Sequence, residues 1–325
     1  MAEAQSEAVL VLAYGGPESM EQVDPFLERI FAGRRLLPET LRKGRDRYTS
    51  IGGKSPIMDE MRRFAGALRA ARPGLAAYCA CLYCAPFVED VLRRIADDGH
   101  RSVLVLIASP FSCGAVRSRY TERLDAAAAS VPGLRLRLAP PFFCHPNWVR
   151  AQADGLLSQL ARARLAQLRW DRPDEDFDPV ILFTAHSLPI AVSDSYVEEL
   201  TKSFHAILEK AQLGGLRGHL AYQSRSGPAS AWLGPEICET LARECAGHPA
   251  RKCCVAVPFG FFFENMETVC DLDMDLKNEA DRLGMKLFRA PAAGLSPFVT
   301  QMALSFLDPP AAGDQPTSPR LRTCP

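Results

Sequence analysis

Short apolar runs that could fill both faces of a sheet alternate along the chain with longer stretches whose apolar residues recur every three to four positions. The first run, residues 8 to 13, is broken by Tyr14-Gly15-Gly16-Pro17. Helical patterns follow at 19 to 31 and 38 to 48. A third runs to residue 71 after the loop Ile51-Gly52-Gly53-Lys54-Ser55-Pro56. Then strand and helix alternate: strands at 75 to 82, 102 to 108 and 134 to 138, helices at 87 to 98, 115 to 130 and 147 to 168. That alternation predicts a parallel α/β sheet. Residues 172 to 179, dense in charge and proline, predict a linker. Four further strands, at 180 to 183, 218 to 222, 253 to 257 and 286 to 288, repeat the plan without repeating the sequence. The expected organisation is a first half over residues 1 to 172, a second over 173 to 307 and a disordered tail over 308 to 325.

Composition narrows the function classes. With 38 basic and 38 acidic residues the net charge is zero, which argues against nucleic acid as a main partner. The polar, acidic start of the chain does not resemble a secretory signal, so a cytoplasmic location is expected. The apolar run at 103 to 108 is far short of the ~20 residues a membrane span needs, leaving at most peripheral membrane contact.

In an open parallel sheet the carboxyl ends of the strands face the ligand crevice. The residues that fall there include Tyr14, Ser109 to Ser112, His186, Gln223 to Ser226 and Glu264 to Glu267. Common motifs fail by spacing. A phosphate loop would need glycine where Tyr48 stands, and a nucleophile elbow around Ser187 would need glycines at Ala185 and Pro189. Glu267, Asp271 and Asp275 step by four, which predicts three carboxylates on one face of a helix. Beside a neutral imidazole, such carboxylates suit a borderline divalent cation and the movement of protons.

Four stretches carry a resemblance. Tyr48 through Pro56, Thr184-Ala185-His186-Ser187-Leu188-Pro189, Tyr222 through Pro228 with Trp232-Leu233-Gly234-Pro235, and Val257 through Thr268 are similar, in order and spacing, to the ferrochelatase family. The resemblance spans roughly residues 10 to 275. It implies two Rossmann-like, doubly wound domains, each with a four-stranded parallel sheet flanked by helices, and insertion of Fe²⁺ into a porphyrin in heme biosynthesis. It further implies that His186 and Glu267 bind the metal or take the pyrrole protons. Arg47, Tyr48, Ser55 and Tyr120 would lie near the porphyrin, and Glu264, Asp271 and Asp275 on a path for metal or protons. Ala13-Tyr14-Gly15, Gly33-Arg34-Arg35 and Ala185-His186-Ser187 look like the members that act on coproporphyrin III, with Tyr14 able to ligate iron. A protoporphyrin IX ferrochelatase, a chelatase for another metal or tetrapyrrole, and a non-catalytic heme or porphyrin carrier remain open. Two positions depart from the pattern: Asn265 stands where many members have histidine, and Phe31 where some have arginine.

Eleven cysteines are present. In a reducing compartment most are expected to be small buried hydrophobes. Some ferrochelatases hold a [2Fe-2S] centre, and Cys79, Cys81, Cys84 and Cys113, all near strand ends, are the candidate ligands here.

Overall fold

The computed structural model describes residues 7–32, 37–168, 177–213, 215–248 and 251–308. Eight strands among them form two parallel sheets of four. In the first, β1 (Ala8–Ala13) lies between β2 (Ala77–Cys81) and β3 (Ser102–Ile107), with β4 (Arg135–Leu138) at the edge. In the second, β5 (Val180–His186) lies between β6 (Gly218–Gln223) and β7 (Cys253–Val257), with β8 (Lys286–Arg289) at the edge. The two strand orders are the same, so the halves share a topology. Central strands are the continuous apolar runs because helices cover both faces of each sheet. Every residue of β1 and β7 is accordingly buried.

The covering helices are α1 (Val23–Ile30), α2 (Pro38–Ser50), α3 (Ile57–Ala71), α4 (Val88–Asp97), α5 (Gly114–Ala128), α6 (Pro146–Leu168), α7 (Asp194–Ala211), α8 (Ile237–Gly247), α9 (Met266–Thr268), α10 (Lys277–Arg282) and α11 (Pro297–Ser305). Two of them join the halves. From α6, Trp148 and Ala151 enter the core under the first sheet, while Val149, Leu156, Leu160 and Ala163 pack beneath the second. From α11, Val299 and Met302 return to the first core, beside Val9, Val11 and Phe64.

Residues 259 to 263 also belong to the interior. Phe262 stacks on Trp148 with ring centroids 5.7 Å apart and meets Phe64 and Phe142 edge-on. Phe259 packs against Phe183 of β5. These aromatics weld the second half's loop to the first half's core.

The predicted elements are found with small shifts at their ends, as fraying helix termini allow. The stretch predicted as one helix at 19 to 31 begins as a 3₁₀ turn, Met20–Gln22, before α1. One element differs in kind. The helix carrying the spaced carboxylates is a π-helix over Val269–Leu276, continuous with α9 and α10. Its hydrogen bonds run i→i+5, so its turn is wider than the one that the four-residue spacing assumes. Gly33-Arg34-Arg35, most of the predicted linker and the tail after residue 308 lie outside the described residues.

Candidate active site

His186 is the last residue of β5, at the carboxyl edge of the second sheet. The following residue is pinned: the Ser187 N–H donates to the Gln223 carbonyl and its hydroxyl to the Leu233 carbonyl at 2.8 Å. Gly260, in the loop after β7, passes so close to β5 that an added Cβ would stand 2.7 Å from Ala185 Cα. Only glycine lets that loop approach the strand beside the histidine.

His186 Nε2 lies 3.2 Å from Glu267 Oε1, and each side chain is about a third exposed. On the other side of the ring, Nδ1 faces the Ser187 carbonyl. A carbonyl cannot donate, so Nδ1 carries hydrogen. Nε2 and the Glu267 carboxylate would then both be acceptors unless one proton lies between them. Burial disfavours the imidazolium, but the Glu267 charge and the bonds to Glu267 and Ser187 outweigh it and hold the His186 pKa above its ordinary 6.5. For Glu267, burial pushes the carboxyl up, and His186 followed by Arg47 brings it below its ordinary 4.5. The shared proton is therefore favoured on the imidazole over the carboxyl.

Glu267 is held by the helix that it opens. The Asn265 side chain accepts from the backbone N–H of Glu267 at 2.8 Å and of Thr268 at 3.1 Å, and the Thr268 hydroxyl accepts from the Asn265 N–H at 3.0 Å. This reciprocal cap commits the Asn265 side-chain oxygen to the helix terminus. The departure from histidine therefore has a structural use here.

Behind the pair lies a network that the sequence did not reveal. Asp271, 3% exposed, accepts from Arg47, from the Ser224 hydroxyl and from Gln223 Nε2 at 3.2 Å. Ser224 takes φ +58°, a left-handed conformation that aims its hydroxyl at the carboxylate. Arg47 belongs to α2 and Asp271 to the π-helix, so this ion pair spans the two halves. Gln223 and Ser224 fall at a strand end and within a family motif, but nothing in their spacing points to Asp271.

In the first half, Tyr14 follows β1 and is half-buried, its ring 5.1 Å from Tyr120 and 5.2 Å from Tyr83. Tyr120 is 4% exposed and bonds to the Tyr14 backbone, so it lies under that loop. Ser55 is buried, its N–H donating to the Pro17 carbonyl. Tyr48 is buried too, and burial together with the nearby Glu267 charge raises its hydroxyl pKa.

The remaining candidates separate from this group. Both oxygens of Glu264 are engaged, by Arg289, by Thr268 and by the Ala292 N–H, so it anchors its loop. Asp275 is exposed, at the outer end of the π-helix. Glu267, Asp271 and Asp275 thus run from the cleft through a saturated interior position to the surface. The four cysteines do not fit a [2Fe-2S] centre. Cys113 packs in the second core with Phe111, whereas Cys79, Cys81 and Cys84 lie at the first. Among the described residues, no group of three or more His, Cys, Asp or Glu side chains is arranged to hold a metal. No helix among them is long and apolar enough to cross a membrane.

The halves are alike in fold, the second holds His186 at the end of β5 paired with Glu267 on α9, and the whole is the two-domain fold of chelatases. A solved structure of the chelatase SirB from Bacillus subtilis with Fe³⁺ superposes with a TM-score of 0.56, covering 93% of each chain at 13% identity. The ferrochelatase family model matches residues 6–306, and the chain belongs to the ferrochelatase family. It is a metal chelatase whose substrates are ferrous iron and a porphyrin. Its relatives include the coproporphyrin III ferrochelatases of Mycobacterium avium, 34% identical over 95% of this chain and 90% of that protein, and of Frankia alni, 33% identical over 93% and 79%. A ferrochelatase of Rhodopirellula baltica is 30% identical over 91% of this chain and 84% of its own length.

Proposed function

We propose that this protein inserts Fe²⁺ into coproporphyrin III, giving coproheme for heme biosynthesis, with His186 and Glu267 as the catalytic pair. The observation that carries the reading is the 3.2 Å contact between His186 Nε2 and Glu267 Oε1, a geometry that requires a proton between them. Metallation must remove two pyrrole protons, and His186 Nε2 accepts one only after releasing the proton that it shares with Glu267. In the deprotonated pair, Nε2 and the carboxylate are also the ligands that replace water on arriving Fe²⁺. Arg47, locked to Asp271, keeps a positive charge beside both and favours the carboxylate form of Glu267. Asp271 and Asp275 form the proposed exit for protons towards solvent, with Asp271 acting through Arg47 and Ser224.

Specificity is assigned to the first half. Tyr14, backed by Tyr120 and Tyr83, presents a phenol at the end of the central strand as a ligand or a wall for the tetrapyrrole. Tyr48 and Ser55 shape the floor beside it. The division of the chain at residue 172 is one of chain order, since α6 and α11 pack across it.

Anaerobic Fe²⁺ insertion, followed as loss of free-porphyrin absorbance with coproporphyrin III and protoporphyrin IX in parallel, tests the reading. Turnover of coproporphyrin III, reduced in Tyr14→Phe and abolished in His186→Ala while porphyrin still binds, is expected. Preference for protoporphyrin IX refutes the substrate assignment, and full turnover by His186→Ala refutes the catalytic one.

A further inference from the structure

Strand β2 leads into Cys81-Leu82-Tyr83-Cys84, and α3 places Met58 and Met61, three residues apart, on the helix face opposite. Cys81 Sγ lies 3.4 Å from Met58 Sδ and 3.9 Å from Met61 Sδ. Cys84 completes the group. The point where a Cβ on Gly15 would stand is 2.4 Å from Cys84 Sγ and 2.9 Å from Cys81 Sγ, so the two thiols face the same space. Gly15 sits at φ +87°, and its missing side chain leaves room for both sulfurs.

Cys81, Met58 and Met61 are no more than 1% exposed, and Cys84 is 6% exposed. Thiolates and thioethers are soft donors, and a pocket of this kind selects Cu(I) over harder divalent ions. Thiolate–metal bonds of about 2.3 Å in a tetrahedral arrangement hold sulfurs roughly 3.7 Å apart. The separations of Cys81 from the two methionine sulfurs bracket that value.

We propose that Cys81, Cys84, Met58 and Met61 form a binding site for one Cu(I) ion, separate from His186 and Glu267 and independent of the porphyrin assigned above. Binding forms two Cu–thiolate bonds and two Cu–thioether bonds, and it releases the two thiol protons to solvent with no change of oxidation state. Cys84, with its small exposed edge, is the point of entry.

The test is an anaerobic titration of the full chain with Cu(I) against a chromophoric Cu(I) chelator, joined to X-ray absorption at the copper edge. One Cu(I) per chain in an all-sulfur shell is expected. Affinity should fall about 100-fold in Cys84→Ser and about 10-fold in Met58→Leu, which keeps the core volume. Cys144→Ser, which removes an exposed thiol elsewhere, should match the wild type. Equal affinity in wild type and Cys84→Ser, or oxygen and nitrogen neighbours in the absorption spectrum, overturns the proposal. Circular dichroism checks each fold, and Met58→Leu carries the test should Cys84→Ser not fold.

Discussion

His186 has its character set by two contacts that act in opposite directions to burial. The pair with Glu267 raises one pKa and lowers the other, which fixes the sign of its pH dependence. The Glu267 contribution to stability is present above 4.5 and lost as pH falls through the lowered value. The His186 contribution is complete below 6.5 and lost as pH rises through the raised value. Turnover needs the opposite state, a free Nε2, so kcat/KM should rise along a limb centred above 6.5. In Glu267→Gln, burial and Arg47 remain and both disfavour the imidazolium, so the limb should move to lower pH as activity falls. A pH–rate profile that leaves the limb in place would show that another group controls it.

The elements that present these residues have their own requirements. Asn265 caps the helix that carries Glu267, and its replacement by alanine should cost about 1 kcal/mol of stability in urea unfolding. If that cap also positions Glu267, kcat should fall more than KM rises. Gly260→Ala is expected to be worse, because the new methyl meets backbone atoms of β5. Loss of more than about 2 kcal/mol, within the 1–3 kcal/mol typical of overpacking, is the expected outcome of thermal unfolding. A variant as stable as the wild type would show that the loop can retreat from the strand. The order of the strands and helices was legible in apolar spacing, since buried parallel strands read as continuous apolar runs. The π-helix was not. Within it, Asp271 is seated against Arg47, Gln223 and Ser224, which are far away in sequence.

Across the whole molecule the halves are joined by shared packing. Phe262 contacts Trp148, Phe142, Phe64 and Phe263, drawn from both halves. Phe262→Ala should therefore cost about 3–5 kcal/mol. Unfolding should remain a single transition, because α6 enters both cores and α11, from the second half, packs in the first; two separated calorimetric transitions would show that the halves unfold independently.

The amino-acid sequence by itself determined the local patterns: eight strands, the helices between them, the histidine at the end of the fifth strand and the family motifs around it. These follow from periodicity and spacing, which are properties of neighbouring residues. Tertiary structure decided which of the marked residues act together. It joined His186 to Glu267, Arg47 to Asp271 and two methionines to Cys81, while turning Glu264 to Arg289 and leaving Cys113 in another core. Such partnerships link residues up to 224 positions apart, and no local spacing encodes them.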